Sequence, residues 1–182
     1  LHGWLDCSPT FQFVVDALKD DWHVVAPDWR GYGESEWINR PYWFPDYYAD
    51  LDCLLKHFSP DNPVRLVGHS MGANISASYA GTRPERVAQL VMLDFLGLKP
   101  AIDDNSPRLL GNWLRNLEKG PPRSLYPTAE AFAARLMESN PRLTEERATF
   151  LSWHISRVNA ATTIELAADP WHRVPSPLPY HI

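Results

Sequence analysis

Apolar positions along the first half of the chain alternate between two periods. From Ser8 to Leu18 they fall at Phe11, Val14, Val15 and Leu18, an i, i+3, i+4, i+7 spacing that predicts a helix with Ser8 or Thr10 as its N-cap. Residues 22–26 (WHVVA) form a short apolar, β-branched run stopped by Pro27, which predicts a buried strand. The glycine-rich stretch at residues 28–35 (DWRGYGES) predicts a loop leaving that strand's carboxyl end. Helical spacing resumes over residues 44–57 through Tyr47, Tyr48, Leu51, Leu54 and Leu55. Residues 64–67 (VRLV) predict a second strand, residues 71–82 a helix with one small-residue face, and residues 87–93 (VAQLVML) a third strand ending at Asp94. Strands and helices alternating over short links build a parallel sheet with helices on its faces, so the predicted fold class is α/β.

Past Asp94 the pattern changes. Residues 100–182 hold ten of the 17 prolines, three stretches of helical spacing (109–117, 129–137 and 144–155) and no run that reads as a buried strand. Thr128 and Thr144 stand as N-caps, each with Glu in the following turn. Residues 169–182, rich in proline, read as irregular. The predicted organisation is therefore a core at residues 1–99 and a helical cap at residues 100–182.

Composition narrows the function classes. With 45% hydrophobic and 21% charged residues over 182 positions, the chain has the balance of a globular domain. A net charge of −5 without any Lys/Arg-rich run leaves no footprint for nucleic acid. The apolar runs fall short of the ~18 residues that cross a bilayer, and no secretory pattern is visible, so no membrane span and a cytoplasmic location are expected. Cys7 and Cys53 make neither a CxxC pair nor a metal-ligand spacing. They are read as two buried thiols, and no metal or cofactor site is predicted.

The candidate chemistry lies at residues 64–73 (VRLVGHSMGA), where a strand runs through G-x-S-x-G into a helix. A serine at the tip of so sharp a turn requires a strained backbone, and only hydrogens fit at Gly68 and Gly72. Small residues at Ala73, Ser76, Ala77 and Ala80 let the following helix lie close against the sheet. Ser70 then stands at a helix N-terminus, where the free N–H of Met71 and the helix dipole can meet a developing oxyanion. A second donor must come from another loop, and His2-Gly3-Trp4 offers the N–H of Trp4.

These residues, together with the 28–35 loop and the strand ending at Asp94, resemble the α/β-hydrolase fold family of the serine-nucleophile type with a cap. The likeness is specific over residues 1–99; residues 100–182 match only in position and helical character. It implies Ser70 as nucleophile, Trp4 and Met71 as oxyanion-hole donors, and an acid and a histidine later in the chain. Asp94 is a candidate for that acid, the alternative being a solvated or loop-capping carboxylate at a strand end with the acid beyond Ile182.

The histidine is the departure from the pattern. His2 belongs to the oxyanion loop, His69 points away from where a base must stand, and His23 and His57 precede the nucleophile in a strand and a helix. His154, His172 and His181 fall in the cap without following a strand; His154 and His172 are the nearest to exceptions. The base is expected beyond Ile182, in a protein roughly 100 residues longer whose central strand before His2 is also absent, and the 182-residue chain alone is expected to turn over little or nothing. The expected activity of the parent is serine-dependent hydrolysis of an ester or related acyl compound. Acyl transfer, perhydrolysis, carbon–carbon hydrolysis and a non-catalytic binding role on the same fold are the alternatives. Trp4, Trp29, Trp37, Trp43 and Trp113 point to an apolar small-molecule acyl substrate, or to plain core.

Overall fold

The computed structural model describes residues 1–19, 21–95, 97 and 106–174. In chain order the elements begin with α1 (Gln12–Val15), α2 (Asp46–Phe58), β1 (Val64–His69), α3 (Met71–Thr82) and β2 (Val87–Leu93). They continue with α4 (Ser106–Lys119), β3 (Leu125–Tyr126), α5 (Ala129–Ser139), α6 (Glu145–His154), β4 (Ser156–Val158) and β5 (Ile164–Leu166). Contacts group the chain into two units: Leu1–Trp37 with Arg123–Asp169, and Ile38–Pro122 with Pro170–Ile182.

In the second unit β1 and β2 pair in parallel, with Leu66 opposite Leu90 and His69 opposite Leu93. Helix α3 packs on both strands and buries Ala73, Ile75 and Tyr79. Helix α2 buries Tyr47, Leu51 and Leu55, one stripe of an amphipathic helix. Its Asp52 accepts the Tyr79 hydroxyl of α3 at 2.8 Å. Arg86 closes the other end of α2, donating to the carbonyls of Leu55, Ser59 and Pro60 at 3.2, 2.7 and 2.8 Å. The Leu55 carbonyl also accepts the Ser59 N–H at 2.9 Å, while Ser59 and Pro60 lie past the helix end, where a guanidinium suits the negative end of the dipole.

In the first unit β3, β5 and β4 form an antiparallel sheet in that order. Buried Glu165 of β5 is held by Arg123 at 3.0 Å and Arg157 of β4 at 3.2 Å. Thr128 and Thr144 cap α5 and α6 through their hydroxyls, which accept the N–H groups of Ala131 and Arg147.

Several expectations meet the structure closely, among them β2 and α3 to the residue. Others need correction. Residues 22–26 join no β-ladder among the described residues, and Val24 and Val25 are exposed, because an extended run becomes a strand only where a partner takes up its N–H and C=O groups. The helix expected over residues 8–18 is a single 3₁₀ turn, Ser8–Phe11, followed by α1, with Val14 and Leu18 exposed. The sheet β3–β5–β4 stands where no strand was expected. Cys53 is exposed, since the buried stripe of α2 passes through Leu51 and Leu55 and leaves position 53 outside it, whereas Cys7 is buried. The expected irregular tail contains a 3₁₀ turn at Pro170–Arg173, and residues 175–182, with His181, lie outside the described residues.

Candidate active site

Ser70 sits between β1 and α3 with φ 47° and ψ −109°, a conformation that a residue with a side chain adopts only under constraint. The constraint is visible on both sides. Its N–H donates to the Leu93 carbonyl of β2 at 2.9 Å, and its carbonyl accepts the Asn74 N–H at 3.0 Å as the first turn of α3 closes. A Cβ at Gly68 would stand 2.5 Å from the Gly72 carbonyl oxygen and 2.6 Å from the Ala73 nitrogen, so helix and strand approach at a distance only glycine allows. Met71 is the first residue of α3, where an N–H has no intrahelical acceptor.

Asp94 follows β2 directly, with φ 53° and its side chain exposed. Because β1 and β2 are parallel neighbours in register, Ser70 and Asp94 leave the same edge of the sheet on adjacent strands. The carboxyl ends of parallel strands are where open α/β sheets assemble their sites. Ser70, Met71 and Asp94 are thus brought to one edge.

Trp4 belongs to the other unit. His2 and Gly3 are buried, Trp4 is 53% exposed, and Leu5 beside it has φ 57°, so this loop is sharply bent. The 28–35 loop lies against it. Trp29 N–H donates to His2 Nε2 at 3.0 Å, and the Trp29 indole N–H donates to the His2 carbonyl at 3.2 Å. The Asp28 carboxylate accepts the N–H groups of Ser8 at 2.7 Å and Glu34 at 3.0 Å. Gly33, at φ 51°, makes room for it: a Cβ there would fall 2.0 Å from Asp28 Oδ2. The sequence marks residues 28–35 as a loop, but not Asp28 as the group that ties it to Ser8.

No histidine among the described residues hydrogen-bonds the Ser70 hydroxyl. His23, His57 and His154 are exposed, the last against the Phe150 ring at 4.2 Å. His172 is buried, stacked on Tyr42 at 3.8 Å with Nδ1 3.3 Å from the Tyr47 hydroxyl. His69 is half-buried at the end of β1. The tryptophans divide as well. Trp29 is core, Trp37 lies under the Arg157 guanidinium at 3.3 Å, Trp113 is half-buried, and Trp4 and Trp43 are exposed. Among the described residues no group of three His, Cys, Asp or Glu side chains could hold a metal ion, and no helix is long and apolar enough to cross a membrane.

The chemistry available at the sheet edge is that of a hydroxyl held out at a helix N-terminus, with one backbone donor beside it. A family model described as alpha/beta hydrolase fold matches residues 1–165. A serine hydrolase-like protein of Danio rerio is 34% identical over 166 residues, which is 83% of this chain and 48% of that protein. Among solved structures, the thioesterase domain from the curacin biosynthetic pathway superposes with a TM-score of 0.81 at 27% identity, covering 98% of this chain and 65% of that one. A hypothetical protein of Pseudomonas aeruginosa PAO1 gives 0.82 at 26% identity, covering 97% and 63%. The chain spans about half the length of the curated relatives it matches.

Proposed function

The chain belongs to the α/β hydrolase fold family, and from that premise we propose that its protein is a serine-dependent hydrolase acting on an ester or related acyl compound through an acyl-enzyme at Ser70. The observation that carries the reading is the strained backbone of Ser70, fixed by the Leu93 carbonyl and by the close approach at Gly68. Strain of this kind costs on the order of 1–3 kcal/mol and persists where it serves a function.

In this reading the Ser70 oxygen attacks the acyl carbon as its proton passes to a base, and the carbonyl electron pair moves onto oxygen. The N–H groups of Met71 and Trp4 receive that oxyanion, each such donor contributing about 3–4 kcal/mol to the transition state. The leaving group departs with the proton, and water, deprotonated by the same base, releases the acid and regenerates the hydroxyl. Asp94 is assigned the role of orienting the base. The thioesterase among the structural neighbours supports acyl esters and thioesters as the class to test, and exposed Trp4 and Trp43 favour an apolar acyl group.

A second reading, a non-catalytic binding protein, is favoured by the absence of a histidine on the Ser70 hydroxyl among the described residues. Treating the full-length protein with a fluorophosphonate separates the two. The hydrolase reading expects a covalent adduct on Ser70 and nitrophenyl-ester turnover, both lost in Ser70→Ala. A folded protein that takes no label supports the binding reading.

A further inference from the structure

Helix α4 (Ser106–Lys119) is the most two-faced of the helices, and its apolar face is not buried. At about 100° of rotation per residue, Leu109, Leu110, Trp113, Leu114 and Leu117 fall within an arc of about 140°. Leu109, Leu110 and Leu114 are 40%, 47% and 49% exposed, and Trp113 and Leu117 are half-buried. Helix α2 of the same unit gives the contrast, because its stripe of Tyr47, Leu51 and Leu55 is buried. Large aliphatic side chains gathered side by side on a surface mark a place that meets something other than water.

The opposite face selects the kind of partner. Arg108, Arg115 and Lys119 lie within about 40° of one another, roughly opposite the centre of the apolar arc. Glu118, the one acid of the helix, sits at the border of the two faces. Among the described helices of ten residues or more, α4 alone carries a net positive charge; α2, α5 and α6 are net negative and α3 has no charged residue. The chain as a whole carries −5, so these cations are gathered against its overall sign.

Leu and Trp on one face and Arg and Lys on the other, in a helix otherwise polar, suit a helix that lies in the plane of a lipid surface. The apolar side chains enter the acyl boundary. A helix is about 10 Å across, so with its apolar half immersed the long cationic side chains of the other half stay within reach of the headgroup phosphates. A protein groove would bury the leucines equally well, but it gives the cationic stripe on the far side nothing to meet. Anionic headgroups account for both faces.

We propose that α4 docks the protein on an anionic lipid surface, with Leu109, Leu110, Trp113 and Leu114 in the acyl boundary and Arg108, Arg115 and Lys119 at the headgroups. The contact runs parallel to the membrane and is not a span, for which no described helix is long and apolar enough. It stands apart from the chemistry at Ser70, so either can fail without the other.

Cosedimentation of the full-length protein with vesicles is the test. On phosphatidylcholine vesicles holding about a third phosphatidylserine, binding is expected to be at least about tenfold tighter than on phosphatidylcholine alone, since each cation near an anionic surface contributes about fivefold. Raising the salt from about 0.1 M to about 0.5 M is expected to weaken it at least about fivefold. Leu110→Gln combined with Leu114→Gln changes two exposed positions and is expected to lower binding at least about tenfold. Arg108→Gln, Arg115→Gln and Lys119→Gln together are expected to remove the preference for phosphatidylserine. Quenching of tryptophan fluorescence by brominated acyl chains is expected in the wild type and reduced in Trp113→Phe. A folded wild-type protein that stays in the supernatant with the anionic vesicles overturns the proposal without any variant. Binding indifferent to phosphatidylserine and salt overturns it too, as does binding unchanged in the double leucine variant. A lipid-free wild-type dimer that the leucine variant turns into a monomer, with no vesicle binding by either, makes the face a contact between copies of the chain and overturns the lipid assignment.

Discussion

Gly68→Ala tests the architecture of the turn at Ser70 with one methyl group. The added Cβ would meet three backbone atoms, the Gly72 oxygen at 2.5 Å and the Ala73 nitrogen and Gly72 carbon at 2.6 Å each. None of these is the end of a flexible side chain, so the first turn of α3 must move off β1 by at least 0.5 Å before the contact reaches the 3.0 Å that real Cβ atoms respect. Forcing a methyl into backbone packing this tight costs about 1–3 kcal/mol. Ser70 and the Met71 N–H ride on the turn that moves. Since a displacement of about 1 Å at a reacting group costs on the order of a hundredfold in rate, labelling of Ser70 by a fluorophosphonate is expected to slow by about ten- to a hundredfold. Gly81→Ala supplies the control. It makes the same chemical change within α3, where nothing lies within 4 Å, and it is expected to stabilise by about 0.5 kcal/mol with the labelling rate unchanged. Denaturant unfolding of the full-length variants, read alongside labelling kinetics, gives both quantities. A Gly68→Ala protein within about 0.5 kcal/mol of wild type and labelled at the wild-type rate would refute the steric account of the turn.

The two cysteines are expected to separate by reactivity: at pH 8 a thiol reagent modifies exposed Cys53 in the folded protein and leaves Cys7 untouched until unfolding. Burial, reinforced by the nearby Asp28 and Asp6 carboxylates, pushes the Cys7 thiol up to about 12. A folded-state value above the unfolded one means that this contribution to stability is whole below about pH 9 and disappears as pH rises toward 12. Equal modification of both thiols in the folded protein counts against it. Asp52 shifts the opposite way, its carboxyl held below the usual range by hydrogen bonds from Lys56 and the Tyr79 hydroxyl. Its contribution is present above the unfolded value near 3.8 and is lost as pH falls through the lower folded value, so Asp52→Asn is expected to flatten the acid limb of a stability–pH curve. An unchanged acid limb in the variant shows that the carboxylate contributes nothing.

The sequence by itself determined the elements whose causes are local. Gly68, Ser70 and Gly72 announce the sharp turn because the steric demand involves residues within a few positions of one another, and Thr128 and Thr144 announce α5 and α6 because a cap satisfies N–H groups three residues away. The strand ending at Asp94 was legible from a run long enough to carry its own pattern. Tertiary structure decided what depends on partners distant in the chain. Residues 22–26 have a strand's composition and join no ladder among the described residues, since backbone pairing comes from a neighbour and not from propensity. The two- and three-residue strands β3, β4 and β5 are too short to show a period, and they are tied together by Glu165 with Arg123 and Arg157, 42 and 8 residues away. The sequence shows His2 next to Gly3, but not that the His2 ring accepts the N–H of Trp29, 27 positions on. That hydrogen bond exists only after folding has brought the two residues together.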